Sequence, residues 1–310
     1  MATVLVTGGT GLIGTALVRE LTAKGHDIII MSRSVRTPSK NISYAQWDPA
    51  RGQIDAEAVK KADYVVHLAG ANVADGRWTE KRKAEIVDSR VKSGELLVKA
   101  ISETPNRIQA IVSFAATGWY GPDPQIPNPK PFTENDPAAS DFLATTCRKW
   151  EEAIHPVAAS GKRLVILRAG IVLSDEGGAY REFRKTLSLG IASVLGSGRQ
   201  VVSWIHIDDM VRITIEAIEN TSFSGVYNAV APNPVSNKKI ITTIATQRKK
   251  PYMTVNVPEI ALKALLGEMS IEVLKSATVS SARLQSAGFR FFFEDIGTAV
   301  HNLEGRLKGN

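Results

Sequence analysis

Apolar and polar positions in the first thirty residues switch between two periods. Thr3-Val4-Leu5-Val6-Thr7 is a short β-rich run, Ile13 to Lys24 repeats its apolar residues at helical spacing, and Asp27-Ile28-Ile29-Ile30-Met31 is β-rich again. Gly25 stands where a left-handed C-cap closes a helix. The pattern predicts a βαβ unit of about 30 residues, the length that a right-handed crossover takes. Further apolar runs at Tyr64–Leu68, Ala110–Phe114 and Leu164–Leu167 are separated by helical patterns. A run such as Val65-Val66-His67-Leu68, bounded by turn residues, suits a strand covered on both faces. The chain is therefore expected to be an α/β protein with a doubly wound parallel sheet, a Rossmann fold.

Two stretches depart from that alternation. Five prolines fall between Pro122 and Pro131, so the segment from Gly121 to Pro137 is expected to be a surface loop. A loop of that length is either a functional lid or a disordered segment. After residue 235 the pattern turns helix-rich, with Glu259–Leu266 and Ser270–Lys275 separated by Gly267. The expected organisation is a nucleotide-binding domain over 1–235, with 176–203 contributing to the substrate side, and a smaller lobe over 236–310.

Composition narrows the class. No window approaches the roughly 18 to 20 apolar residues of a membrane span, and Met1 runs directly into the first strand without a basic leader. Cys147 is the one cysteine, so neither an internal disulfide nor a zinc–thiolate cluster is expected. A cytoplasmic location follows as the expectation. The formal net charge of +7 suits either a nucleic acid or an anionic cofactor. The basic runs Lys81-Arg82-Lys83 and Arg248-Lys249-Lys250 are short and lack interleaved aromatics, which disfavours the nucleic acid. The expected partner is a small molecule.

The first loop carries the chemistry. Gly8, Gly11 and Gly14 are spaced G-x-x-G-x-x-G around Thr10, Leu12 and Ile13, between a predicted strand and a predicted helix. The first glycine permits a tight turn, the second lets backbone approach a pyrophosphate, and the third lets helix and strand pack closely. The helix N-terminus then offers free N–H groups and a partial positive charge to the phosphates. The end of the second strand selects the dinucleotide. A site for NAD would place a carboxylate there for the ribose hydroxyl, but this chain has Ser32-Arg33-Ser34. Guanidinium grips a 2′-phosphate and serine hydrogen-bonds it, so NADP is the expected cofactor.

Several motifs resemble those of the extended short-chain dehydrogenases/reductases. They are His67-Leu68-Ala69-Gly70, Trp204-Ile205-His206-Ile207-Asp208-Asp209 and Gly225-Val226-Tyr227-Asn228. Arg77-Trp78-Thr79, Ser89-Arg90, Phe142-Leu143-Ala144 through Trp150-Glu151, Arg168-Ala169-Gly170 and Gly177-Gly178-Ala179 are similar to the atypical "epimerase family" (YfcH-like) branch of that group. Val257-Pro258, Leu265 through Met269 and Gly288-Phe289 resemble the branch's C-terminal domain of unknown function. The resemblance covers essentially the whole chain. It implies cofactor contacts at Leu68, Ala69, Gly70, Glu85, Arg90 and Val172. For Glu85 an ordinary ion pair with Lys81 or Arg82 at helical spacing is the competing reading.

The chain departs from the larger group where acid–base chemistry belongs. The group's Tyr-x-x-x-Lys pair falls on Leu143 and Cys147, and the usual serine falls near Ala115-Ala116. Leucine carries no proton and a neutral thiol gives no fixed positive charge. Substitutes are Tyr120, either facing the nicotinamide or packing on the proline-rich segment, and Ser113 on the strand before it. His206 is either an acid–base group or a buried histidine, and Cys147 would need a nearby base or cation to act as a nucleophile. Two functions remain open: an NADP(H)-dependent oxidoreductase or epimerase-like enzyme acting on a sugar nucleotide or small carbonyl compound, and a non-catalytic NADP-binding regulatory module.

Overall fold

The computed structural model describes residues 1–34 and 36–309. Strand β1 (Thr3–Thr7) leads into helix α1 (Leu12–Ala23), and β2 (Asp27–Ser32) returns parallel to β1 with Thr7 opposite Met31. α1 starts and ends one residue earlier than the apolar pattern suggests. Lys24 is its C-cap, and Gly25 takes a φ of 85° that swings the chain into β2. There follow β3 (Ile42–Asp48), β4 (Gln53–Ile54), α2 (Ala56–Lys61), β5 (Tyr64–His67) and α3 (Glu80–Glu103). The chain continues through β6 (Ala110–Ala116), α4 (Phe142–Ile154) and β7 (Arg163–Ala169).

These strands and β12 (Gly225–Ala229) form one sheet in the order β12-β7-β6-β5-β1-β2-β3-β4, parallel except for β4 against β3. The expected doubly wound sheet is thus present. Before β12 (Gly225–Ala229) come β8 (Ile171–Leu173), α5 (Gly178–Lys185), β9 (Ile191–Leu195), β10 (Val201–Val202), β11 (Trp204–His206) and α6 (Ile207–Glu219). α1 packs beside α6, and α3 beside α4. Leu5, Leu17, Leu21, Leu97 and Ile111 are fully buried in the core they close, each stabilising the fold by about 1.5 to 3 kcal/mol.

The C-terminal part comprises β13 (Val235–Ser236), α7 (Asn237–Gln247), β14 (Met253–Val257), α8 (Glu259–Leu266), α9 (Ser270–Leu274), α10 (Ala282–Ser286) and α11 (Ile296–Gly309). A second apolar cluster joins Leu173, Tyr180, Val194 and Trp204 to Ile240, Ile244, Val300 and Leu303. Among the described residues no helix is long and apolar enough to cross a membrane.

The proline-rich segment is ordered by specific bonds at both of its faces. The Asp123 carboxylate accepts from the Ser276 and Thr278 hydroxyls, from the Thr278 N–H and from the Asn128 amide, at 2.7 to 2.9 Å. Phe132 exchanges backbone bonds with Thr278 and Ser280, and Glu134 accepts the Asn228 N–H at 2.8 Å beside β12. The segment braces the sheet edge against residues 276–280.

Candidate functional site

The site begins where three neighbouring parallel strands end at one level. Thr7 of β1 stands opposite Met31 of β2 and His67 of β5, so Gly8 and Leu68 leave the sheet side by side, level with Ser32, the last residue of β2. The chain leaves β1 towards β2 and leaves the adjacent β5 towards β6, in opposite directions along the sheet, and α/β sheets open a crevice at such a point. Gly8 has a φ of 69°, and a Cβ there would lie 2.9 Å from the Leu68 carbonyl carbon. A Cβ on Gly14 would lie 2.3 Å from the Gly8 carbonyl oxygen. Both glycines are required by close backbone approach.

The N-terminus of α1 is left open. Its N-cap is Gly11, without a side-chain capping bond, and the first turn holds no acidic residue. The Gly11 N–H turns back to Gly8 at 3.0 Å and Thr15 N–H reaches Gly11. The Leu12, Ile13 and Gly14 N–H groups find no protein acceptor among the described residues. Three free donors at the positive end of a helix dipole suit a phosphate group. Thr10 and Gly11 are exposed, and Leu12 and Ile13 are half-buried. Leu12 supports Gly178: a Cβ there would lie 2.9 Å from Leu12 Cδ2 and 3.8 Å from the Val172 carbonyl oxygen. Val172 thereby comes to the rim of the same loop.

A buried polar chain fixes the other wall. Thr7 Oγ1 accepts the Leu68 and Ala69 N–H groups, both at 3.2 Å, so its own proton goes to His67 Nδ1 at 2.8 Å. His67 Nε2 then carries the proton and donates to Ser93 Oγ at 3.2 Å, and Ser93 donates to the Arg90 carbonyl. Complete burial, with Arg90 nearby, holds His67 neutral by lowering its pKa to about 3. Neither Thr7 nor Ser93 stood out in the sequence. A polar residue closing an apolar strand was the available signal.

Arg90 lies beneath Gly70, where a Cβ would come within 3.2 Å of its guanidinium carbon. Its Nη1 donates to Ala71 and Ile86 carbonyls, and the guanidinium sits 4.7 Å from the Trp150 ring centroid. Glu85 is exposed and paired with Arg82 at 2.6 Å. Ser32 closes β2 and accepts the Ser34 N–H at 3.3 Å, while Arg33 is exposed at the strand end.

The acid–base substitutes are placed less favourably. β6 runs three residues past Ser113, which is level with His67 inside the sheet and 1% exposed. Tyr120 is fully buried, stacked on Phe132 of the proline-rich segment at 5.2 Å. Its hydroxyl donates to Asn228 at 2.7 Å and accepts from Arg168 at 3.1 Å, and burial pushes its pKa up to about 12. His206 is buried against Phe293, caps α6 through Nδ1, and is held neutral by burial with its pKa lowered to about 4. Cys147 is buried, and burial pushes its thiol up to about 12 against the pull of Arg90. Arg148 and Lys149, its sequence neighbours, are exposed. Leu143 and Cys147 both face Gly118, where a Cβ would lie 3.3 Å from Leu143 Cβ and 3.6 Å from Cys147 Sγ. Beside them Arg168 and Glu151 form a two-pronged buried ion pair at 2.8 and 2.9 Å, with Arg168 stacked 3.6 Å over Trp119.

Sheet order, open helix end and crevice define a Rossmann-type α/β protein. Residues 4–230 match the NAD dependent epimerase/dehydratase family, and residues 257–303 match a domain of unknown function, DUF1731. The chain belongs to the NAD dependent epimerase/dehydratase family. It is 36% identical over 303 residues to epimerase family protein Mb2239 of Mycobacterium bovis, covering 96% of each chain. It is 34% identical over 302 residues to epimerase family protein YfhF of Bacillus subtilis, covering 97% of each. The crystal structure of human epimerase family protein SDR39U1 with NADPH superposes with a TM-score of 0.85, at 31% identity, over 97% of this chain and 98% of that one. The UDP-N-acetylglucosamine 4-epimerase of Bacillus cereus, at 18% identity and a TM-score of 0.77, shares the fold.

Proposed function

We propose that this chain binds NADP(H) in the crevice above β1 and acts as an oxidoreductase or epimerase-like enzyme on a small carbonyl compound or sugar nucleotide. The observation that carries the reading is the glycine cradle: Gly8 and Gly14 admit no Cβ, and the Leu12, Ile13 and Gly14 N–H groups have no protein acceptor among the described residues. That geometry fits a pyrophosphate. Leu68, Ala69 and Gly70 would flank the nucleotide from β5, with Val172 and Gly178 on the far side. Exposed Arg33, next to Ser32 and level with the cradle, favours the 2′-phosphate form. The similarity to a human relative solved with NADPH supports the same choice. When bound, the nicotinamide supplies hydride chemistry. The chain's own part is to hold the dinucleotide, to keep Arg90 cationic beneath Gly70, and to exclude water with the braced segment 121–137.

Residues 1–235 would then form the nucleotide side, and 236–310, with 176–203, the substrate side. The second apolar cluster supports that division. A non-catalytic regulatory role is favoured by one observation, the inert pair Leu143 and Cys147 on the face of α4 where a tyrosine and a lysine would stand. Calorimetry with NADPH and NADH on purified, ligand-stripped protein tests the main reading. Arg33→Ala should weaken NADPH at least tenfold, the scale of one lost charge-assisted contact, and leave NADH within about twofold. Equal losses would remove the 2′-phosphate argument, and no heat with either cofactor would remove the function.

A further inference from the structure

One tip of the molecule is basic and apolar at once, and the cofactor site makes no use of it. Residues 183–207 and 220–258 contain no aspartate or glutamate, and they supply β9, α7 and β14. β9 and β14 form a parallel two-stranded sheet with Met253 opposite Ile191, so both strands begin at the same end. The Met253 N–H donates to the Gly190 carbonyl at 2.9 Å, which seats the turn before β9 against the turn before β14. α7 ends at Gln247, and Arg248, Lys249 and Lys250 lead from it to Pro251. The Tyr252 and Thr246 hydroxyls are bonded at 3.2 Å, holding this basic run beside the start of β14.

The turns themselves are apolar. Leu189 is 77% exposed, Met253 is 65% exposed, and Tyr252 is exposed next to it. Single exposed apolar side chains are ordinary on a protein surface, but here three occupy two bonded turns. The carboxylates of the flanking helices α5 and α11 are already taken, Glu182 by Lys185 at 2.6 Å and Glu304 by Arg184 at 2.7 Å. Among the described residues Arg248, Lys249 and Lys250 have no acidic partner within 4.0 Å.

Charge decides which partner fits. A second copy docked through this tip about a twofold axis would set two unpaired basic runs against each other. A nucleic acid would engage the cations but leaves the aliphatic Leu189 and Met253 unused, and Tyr252 alone offers a ring to stack a base. An anionic lipid surface uses both features. Its headgroups attract the basic run, long lysine and arginine stems keep their charges at headgroup level, and the apolar turns enter the acyl boundary. We propose that Leu189, Tyr252 and Met253, with Arg248, Lys249 and Lys250, dock this chain on an anionic membrane surface. The contact is peripheral, because among the described residues no helix is long and apolar enough to span. It stands apart from the NADP(H) reading, since α7, β9 and β14 contribute nothing to the glycine cradle.

Cosedimentation of the full chain with vesicles tests this, comparing phosphatidylcholine containing phosphatidylserine with pure phosphatidylcholine. The chain should be retained on the serine-containing vesicles at about 0.1 M NaCl and released at about 1 M, where the screening length falls from about 10 Å to about 3 Å. Each cation near an anionic surface contributes about fivefold, so Arg248→Gln, Lys249→Gln and Lys250→Gln combined should weaken retention about a hundredfold. Leu189→Ser with Met253→Ser should weaken it at least about tenfold. Ile260→Ser changes an apolar side chain that is 82% exposed beyond the far end of β14, and it should leave retention within about twofold. All these sites are at the surface, so Tm should match wild type throughout. No retention on the anionic vesicles would overturn the proposal, as would equal retention on pure phosphatidylcholine or an equal loss from Ile260→Ser. Binding of poly(U) without vesicle binding, abolished by the three glutamines, would assign the run to nucleic acid instead. A dimer in sedimentation velocity that Leu189→Ser with Met253→Ser dissolves would give the tip to a second copy and overturn the membrane contact.

Discussion

Gly11 and Gly14 look alike in the sequence, yet the structure predicts opposite failures when each becomes alanine. At Gly14 the new Cβ would sit 2.3 Å from the Gly8 oxygen and 2.7 Å from Gly9 Cα, both backbone atoms. Ordinary contact begins near 3.4 Å, so the loop must shift by about 1 Å. Overpacking of that kind costs about 1 to 3 kcal/mol of stability. The same shift misaligns the free N–H groups of α1. Losing two charge-assisted bonds of about 1.5 to 3 kcal/mol each weakens NADPH by roughly two to four orders of magnitude. At Gly11 the backbone is at φ −81°, open to any residue, and the nearest atom to a Cβ is the Gly8 oxygen at 3.4 Å. The stability of Gly11→Ala should stay within about 1 kcal/mol of wild type. Its added methyl instead occupies the space where a pyrophosphate would approach, so affinity should fall at least tenfold without a fall in Tm. Urea denaturation and calorimetry on both variants separate the two cases. NADPH binding at wild-type strength by Gly11→Ala would refute the placement of the phosphates on this loop.

Removing one partner of the buried pair by Glu151→Gln should cost about 3 to 5 kcal/mol, because Arg168 then stays charged without its carboxylate. A loss below about 1 kcal/mol in urea denaturation would contradict the burial of that pair. Acid should also unfold the protein through His67. The unfolded imidazole binds a proton below pH 6.5, whereas the folded one resists until about pH 3. The stability His67 lends is complete above pH 6.5 and is lost as pH falls through that window, at about 1.4 kcal/mol per pH unit, or roughly 5 kcal/mol in all. Denaturant midpoints at pH 7, 5 and 4 measure the slope, and an unchanged slope in His67→Gln would refute it.

The cofactor side was legible because its determinants are local. Val4 to Val6, the three glycines and the helix behind them lie within one crossover, and each acts through its own backbone geometry. Strand β3 was missed because its Ile42 to Asp48 run is mostly half-exposed and shows neither a continuous apolar run nor clean alternation. That positions 143 and 147 of α4 hold a leucine and a cysteine was also readable, since it is a matter of residue identity.

Where the other candidate acid–base groups lie was not. Tyr120 and Ser113 have suitable chemistry, and only packing against Phe132 and within β6 removes them from the cleft. Lys275 meets Asp141 across 134 positions of chain, and His67 meets Thr7 across 60. Residue type determines which protons a side chain is able to hold. Whether the group faces a crevice, a carboxylate or the core is decided by contacts between segments remote in sequence, and desolvation there moves its proton affinity further than its identity does.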